Sequence, residues 1–419
     1  MTPQELKALD RRLNSFLEDL LAPMGRSERR HWARLYIEGL LLDGDRKSIE
    51  PMASRIPAAD VQALRQFVGQ SPWTVEEVQR QLALKVVDLL SDPEVWILDD
   101  TSFPKAGQHS VGVARQYCGA LGKVANCQVA VTLHWSSGEA SCPLGWRLYV
   151  PEAWFEDRQR AAEVKLPTGL SFRSKLELAL ELIDQVMNWG VPALPVVADC
   201  FYGDSSAFRQ QLRQRQLSYV LGVEPKTSVW MEDPHRPLPP PKPTGRPRKH
   251  VPADLLPPPR DLPTLAQQLP ASAWQNVTWR EGSRGMQCSR FARVKVWAAR
   301  GWLSRKPTEG VAEWLLIKWP MGEKQPTKYW LAQLPHPSPS LRRLVRLAHA
   351  RWRVELDYRE LKEELGLDHF EGRHWLGWHH HVTLVTLAYA FLRTEQARLK
   401  KNDWCDLASG PAQPAEPPD

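Results

Sequence analysis

The chain has 419 residues, a formal net charge of +7 and an isoelectric point near 9.1. That length suits a large core spread over two or three domains, and the basic excess is compatible with a polyanionic partner without requiring one. Six cysteines without a C-x-x-C pair or a repeated spacing argue against a zinc knuckle or a disulfide framework, and a polar start with no long apolar run makes the cytoplasm the expected location.

Residues 1–90 read as helical. Leu13, Phe16, Leu17, Leu20 and Leu21 mark an amphipathic helix, a second runs from Ser27 to about Leu42, and a third begins near Ala58. Thr74 with Glu77 forms a capping-box pattern for a fourth. Arg26, Arg29, Arg30, Arg34, Arg46, Lys47 and Arg55 give this region a basic side, which suits either a DNA-gripping bundle or a packing and dimerisation domain.

After Pro93 the pattern changes. Val95–Leu98 begins a strand that runs into Asp99 and Asp100, with further strands over 126–135 and 142–150 and a Gly-rich, polar loop or hairpin arm over 105–123. A helix from Ser174 to Trp189, a buried strand ending at Asp199, a helix capped by Asp204 and running through Gln216, and a strand over 218–223 complete a mixed α/β sheet. Residues 234–263 are Pro-rich and basic and are expected to form an extended, mobile loop. Strand pairs follow over 273–299 and over 314–319 with 329–334.

Leu341–Leu367 has no Pro and no Gly before Gly366, and it reads as one long helix. Leu347, Val354, Tyr358, Leu361 and Leu365 fall on one core-facing stripe with Glu355 and Lys362 beside it, while Asp357, Glu360 and Glu364 are expected to face water. A last helix is expected over 380–399, and the Pro-rich tail is expected to be disordered.

Three carboxylates belong together on this pattern. Asp99 and Asp100 are adjacent on a strand, so only one of them can enter a given site. Asp199 ends a neighbouring strand, and ligand chemistry in open α/β sheets collects at strand ends. Glu355, from a helix packed over that edge, supplies a third hard oxygen donor. Such a set suits Mg²⁺ or Mn²⁺ and, with two ions, in-line phosphoryl transfer. Arg351 and Lys362 on the same helix suit phosphate oxygens.

The segments WILDDTSFPKAG (96–107), VVADCFYGD (196–204), RWRVELDYRELKEELGLDHFEGR (351–373) and GWHHHVTLV (377–385), together with GLLLDGDRKSIEPMA (39–53), resemble the DDE transposases of bacterial insertion sequences. The likeness is to the insertion-sequence-701 branch of the insertion-sequence-4 group and extends over nearly the whole chain. It implies a ribonuclease-H-like α/β core with a helical N-terminal domain and a β-rich insertion before the last catalytic helix. About 155 residues separate Asp199 from Glu355, which leaves room for that insertion. The implied domains are 1–90, 91–223, 224–340 and 341–400, with a tail over 401–419.

The resemblance assigns Asp100, Asp199 and Glu355 as catalytic and metal-binding residues, holding two Mg²⁺ or Mn²⁺ ions. It assigns Arg351 and Lys362 to DNA phosphates. The larger group has a tyrosine three residues before the arginine, whereas this chain has Ala348. It also implies binding of double-stranded DNA (the element's terminal inverted repeats and a target), cut-and-paste strand transfer, a homodimer in the DNA complex and association with the nucleoid. An insertion-domain tryptophan is expected to stack on a flipped base; the candidates are Trp274, Trp279, Trp297 and Trp302, with Trp297 carried forward. Arg246 and Arg248, in Thr-Gly-Arg-Pro-Arg-Lys, resemble a minor-groove hook. His374 and His379–His381 read as phosphate-contacting or helix-start residues. Two alternatives stay open: a domesticated DNA-binding descendant acting as repressor or recruitment factor, and a stand-alone ribonuclease-H-like nuclease.

Overall fold

Side-chain capping starts the first helix in this computed structural model, which describes residues 2–90, 92–138, 140–234, 258–282, 285–299, 310–335 and 338–408. Thr2 and Glu5 exchange hydrogen bonds in a capping box ahead of α1 (Pro3–Leu21), whose Leu13, Phe16, Leu17, Leu20 and Leu21 are buried as their spacing predicts. α2 (Ser27–Leu41), a short unforeseen α3 (Ile49–Ala53), α4 (Val61–Gln70) and α5 (Val75–Leu89) follow. Thr74 occupies the N-cap of α5, but its side chain makes no capping hydrogen bond. The basic side is thinner than the sequence suggests. Lys47 is buried and donates to the carbonyls of Leu40 and Leu42, and Arg34 is taken up by Asp10 and Glu38. Arg26 and Arg30 remain exposed.

The central sheet is built from β1 (Pro93–Pro104), β2 (Ala114–Cys118), β3 (Lys123–Ser137) and β4 (Ser141–Tyr149), then β5 (Val196–Ala198) and β6 (Tyr219–Val223). β3 pairs antiparallel with both β1 and β4, while β1, β5 and β6 run parallel, giving the order β4-β3-β1-β5-β6 of a ribonuclease-H-like core. The helices between them are α6 (Ala153–Glu156), α7 (Arg158–Glu163), α8 (Lys175–Asn188), α9 (Cys200–Gly203) and α10 (Ser206–Gln214). Ser205, not Asp204, caps α10; Asp204 instead accepts from the Glu224 amide and the Thr227 hydroxyl, tying the turn to the end of β6.

The insertion comprises β7 (Ser228–Trp230), β8 (Arg260–Asp261), α11 (Leu262–Gln268), β9 (Trp274–Gly282), β10 (Gly285–Ala298), β11 (Ala312–Trp319) and β12 (Lys328–Gln333). β12 pairs antiparallel with β6, with Leu331 opposite Leu221, so the insertion prolongs the core sheet into one of twelve strands. It has its own apolar core around Val229, Leu262, Leu265, Val296 and Ile317.

The expected long helix is two helices, α12 (Leu341–His349) and α13 (Trp352–Glu363). Backbone dihedrals stay helical at Ala350 and Arg351, but the amides of Ala350, Arg353 and Val354 bond three residues back, a tightened turn that re-aims the chain just before Glu355. Gly366, at φ 66°, ends α13 with the Leu367 amide reaching back to the Leu361 carbonyl. α14 (Trp375–Ala408) then runs beneath the N-terminal helices.

Phe16 packs on Phe391, Arg12 pairs with Glu395, Tyr36 bonds His381 and Gln79 bonds Thr383, so the N-terminal layer shares one core with the sheet. This packing overturns two expectations. Asp357 does not face water, because α14 covers that side of α13. His380 and His381 are not phosphate contacts either: they are buried, stacked on Trp73 and Phe370, with burial pushing their pKa values down to about 4 and about 3. Among the described residues no helix is long and apolar enough to cross a membrane.

Candidate active site

β1 and β5 run parallel, with Trp96 beside Val196 and Ile97 beside Val197, so Asp99 and Asp100 emerge next to the end of β5 where Asp199 stands. The alternation of a strand sends the two β1 aspartates to opposite faces. Asp99 is buried towards α13. One of its oxygens accepts from Arg351 Nη1 at 3.0 Å and the other from the Asp100 amide at 3.0 Å. Opposite it on β3, Thr132 shares a hydrogen bond with Tyr358 of α13. Asp100 instead meets Lys175 Nζ at 2.5 Å, on the first residue of α8.

Asp199 caps α9, accepting from the Phe201 amide at 3.0 Å. The turn that follows lies hard against β6. A Cβ at Gly203 would stand 1.8 Å from the Gly222 carbonyl oxygen, which explains the glycine in the segment after Asp199. Asp199, Arg351 and Glu355 line one cleft of about 530 Å³ between β5, α13 and the insertion, whose far wall carries Trp279, Lys318 and Lys328.

Burial and crowding set the electrostatics. Burial pushes the Asp99 carboxyl up to about 7; Arg351 pulls against this, while Asp199 and Asp100 add to it. Asp199 is raised by burial and by Asp100, again against the pull of Arg351. Burial opposes the charge on Arg351, but Asp99, Asp199 and Glu355 together hold its pKa above the usual value. This arginine is the hub of the site.

The predicted residues divide. Asp199, Glu355 and Arg351 share the cleft, and Glu355 lies 3.6 Å from Arg351 with 64% of its side chain accessible, more open than a core-boundary position implies. Asp100 is adjacent but turned to Lys175. Lys362 is half-buried, donates to the Ser102 carbonyl at 2.9 Å, and has its pKa lowered by burial; it braces β1 rather than lining the cleft. Trp297 lies along β10, opposite Ala312 and Trp230, away from the cleft. Trp279 reaches it instead, with His349 at 4.3 Å and Lys318 Nζ 4.5 Å from its ring. Arg246, Arg248 and Trp302 lie outside the described residues.

Among the described residues, no group of three or more His, Cys, Asp or Glu stands close enough to hold a metal ion as it is arranged. Sequence reasoning missed Lys175, which carries no local signal beyond its place after the Ser174 cap. It also named Trp279 only as one of four candidates, because strand alternation cannot tell which tryptophan faces a cleft formed with a distant helix.

A family profile described as DDE superfamily endonuclease matches residues 19–286. The chain belongs to the DDE superfamily endonucleases. The matched stretch contains Asp100 and Asp199, and Glu355 lies beyond it. The chain is also similar to a protein of Microchaete diplosiphon named "Probable transposase for insertion sequence element IS701", with 32% identity over 187 residues. That stretch covers 44% of this chain and 46% of the relative, so the match spans about half the relative's length.

Proposed function

We propose that this DDE endonuclease is an insertion-sequence transposase that binds the ends of its element, cleaves a phosphodiester there and joins the freed 3′-hydroxyl to target DNA. The observation that carries the reading is the convergence of Asp199 and Glu355 on one cleft with Arg351 between the acids, and with Asp100 on the adjoining strand. Carboxylates within β1 and at the end of the adjoining β5, facing a helix-borne glutamate, are a donor set for a hard divalent cation. Burial raises Asp199 and repulsion by Asp100 adds to it, and such a cation would offset both.

Asp100, Asp199 and Glu355 would hold Mg²⁺ or Mn²⁺, as two ions. When bound, the metal polarises the scissile phosphate and activates the attacking oxygen. The chain's own cations do the positioning. Arg351, at the centre of the cleft, can fork onto phosphate oxygens, and Lys318 and Lys328 on the opposite wall suit the neighbouring backbone. The exposed Arg26 and Arg30, and Arg246 and Arg248 of the basic Pro-rich segment, would grip flanking duplex. Two ends must be processed together, which calls for a homodimer on DNA at the nucleoid. The domain division at 90, 223 and 340 stands as part of this reading.

The test is cleavage of DNA carrying the element's own ends, with Mg²⁺, by wild type and Glu355→Ala. Nicking at the end junctions that is lost in the variant supports the transposase. Specific binding without cleavage by either protein would identify a DNA-binding descendant instead, and cleavage that survives the substitution would mean that Glu355 is not the third acid.

A further inference from the structure

We propose that Lys175 is a positioning residue of the active site, which holds Asp100 in the DNA-free protein and passes to a DNA phosphate when a divalent cation takes its place. The proposal rests on the reading of Asp100 as a metal ligand. Each aspartate of β1 carries its own cation. Arg351 serves Asp99 and is shared with Glu355, while among the described residues Lys175 is the cation paired with Asp100, at 2.5 Å on the opposite face.

The lysine is built for movement at its tip and for fixity at its root. Its backbone is the first residue of α8, immobilised by the Ser174–Glu177 capping box; Glu177 is spent on Ser174 and does not compete for the ammonium. Its tip is partly open, with 23% of the side chain accessible, and lies 5.1 Å from the ring of Phe201. That ring is 49% exposed and sits two residues past Asp199. Nζ therefore lies between Asp100 and the exposed Phe201 ring, at a partly open position rather than in the core.

An ammonium is a compact point charge on a flexible stem, able to leave one oxygen and donate to another within reach. Cation binding at Asp100 would displace the ammonium towards the exposed Phe201 ring, and a phosphate of bound DNA would give it a new acceptor. Lys175 thus competes with the metal before DNA arrives and adds a phosphate contact afterwards.

Titration of the full-length protein with Mn²⁺, without DNA, separates the possibilities. Lys175→Gln is expected to bind Mn²⁺ about threefold more tightly than wild type, since a partly exposed ion pair no longer opposes it. Lys175→Arg keeps the charge and should match wild type, and Asp100→Asn should lose the site. With Ca²⁺ supporting DNA binding but not cleavage, Lys175→Gln should lower the slope of log affinity against log salt by about one phosphate contact. If Lys175→Gln binds Mn²⁺ no more tightly than wild type while Asp100→Asn loses it, the lysine has no such role and the metal site stands. If the salt slope of Lys175→Gln is unchanged, the phosphate contact falls. If Asp100→Asn binds Mn²⁺ like wild type, the metal-site reading fails and the proposal goes with it.

Discussion

Two carboxylates two residues apart on α13 have opposite surroundings. Asp357 has no accessible side-chain surface and is saturated: His134 Nδ1 stands at 2.8 Å, the Ser141 hydroxyl donates to it, the Tyr389 hydroxyl donates at 2.8 Å and Arg393 lies 3.5 Å away. Burial works against its charge, yet His134, Ser141 and Tyr389 hold its pKa below the usual range. Glu355 is 64% accessible and has Arg351 at 3.6 Å as its ion-pair partner. A buried acid with every lone pair satisfied is an anchor, and an open acid at a cleft with spare coordination is available for a ligand. Asp357 joins β3, β4 and α14 to the helix and so sets where Glu355 points.

The sharpest test of this contrast is Glu355→Gln. It should lower end cleavage about ten-thousandfold while leaving the urea midpoint unchanged, because nothing buried is disturbed; a large fall in stability would break the comparison. Asp357→Ala should do the reverse in kind, costing about 3–5 kcal/mol of stability in urea unfolding by stranding His134 and Arg393. A fully stable Asp357→Ala would show that the network is not an anchor.

Asp99 lies between these extremes, buried but repelled by its neighbours. Its folded pKa of about 7 stands above the ordinary 3.8, so the folded chain keeps a proton that the unfolded chain has released between those values. The stability this proton supplies is complete below about pH 4 and is lost as pH rises through 7. The Tm should therefore fall over that window, and Asp99→Asn should flatten the slope; an unaltered slope would remove Asp99 from the account. The smallest effect is expected in the insertion. Trp279→Ala should weaken end binding by about 1–3 kcal/mol if the ring stacks on a base, whereas Trp297→Ala should leave it unchanged. Equal losses would mean that proximity to the cleft is not what matters.

Much of the scaffold was legible beforehand. Apolar spacing found α1, α2 and the buried stripe of α12 and α13, and acids after apolar runs pointed to β1 and β5, although β1 continues past its two aspartates to Pro104. The errors share one cause. The wheel of α13 treated it as a helix with a single buried face, but α14 covers the side that carries Asp357. The run of histidines looked polar, but Trp73 and Phe370 close over it. Asp204 looked like a cap, but its carboxylate found better partners on a loop twenty residues away.

The acid, acid, glutamate set was implied by the family resemblance, while local chemistry alone determined most strands and helices, the apolar stripe of α1 and the opposite faces of the adjacent Asp99 and Asp100. Those features depend on spacing within a few residues, which a sequence states directly. Only the tertiary structure decided which cation each aspartate meets, that the insertion continues the core sheet through β12 and β6, and that Trp279 reaches the cleft. Such pairings join residues far apart in the chain, with 75 positions between Asp100 and Lys175 and 252 between Asp99 and Arg351. They are settled by which surfaces can be buried together, a property of the packed whole that no local period encodes.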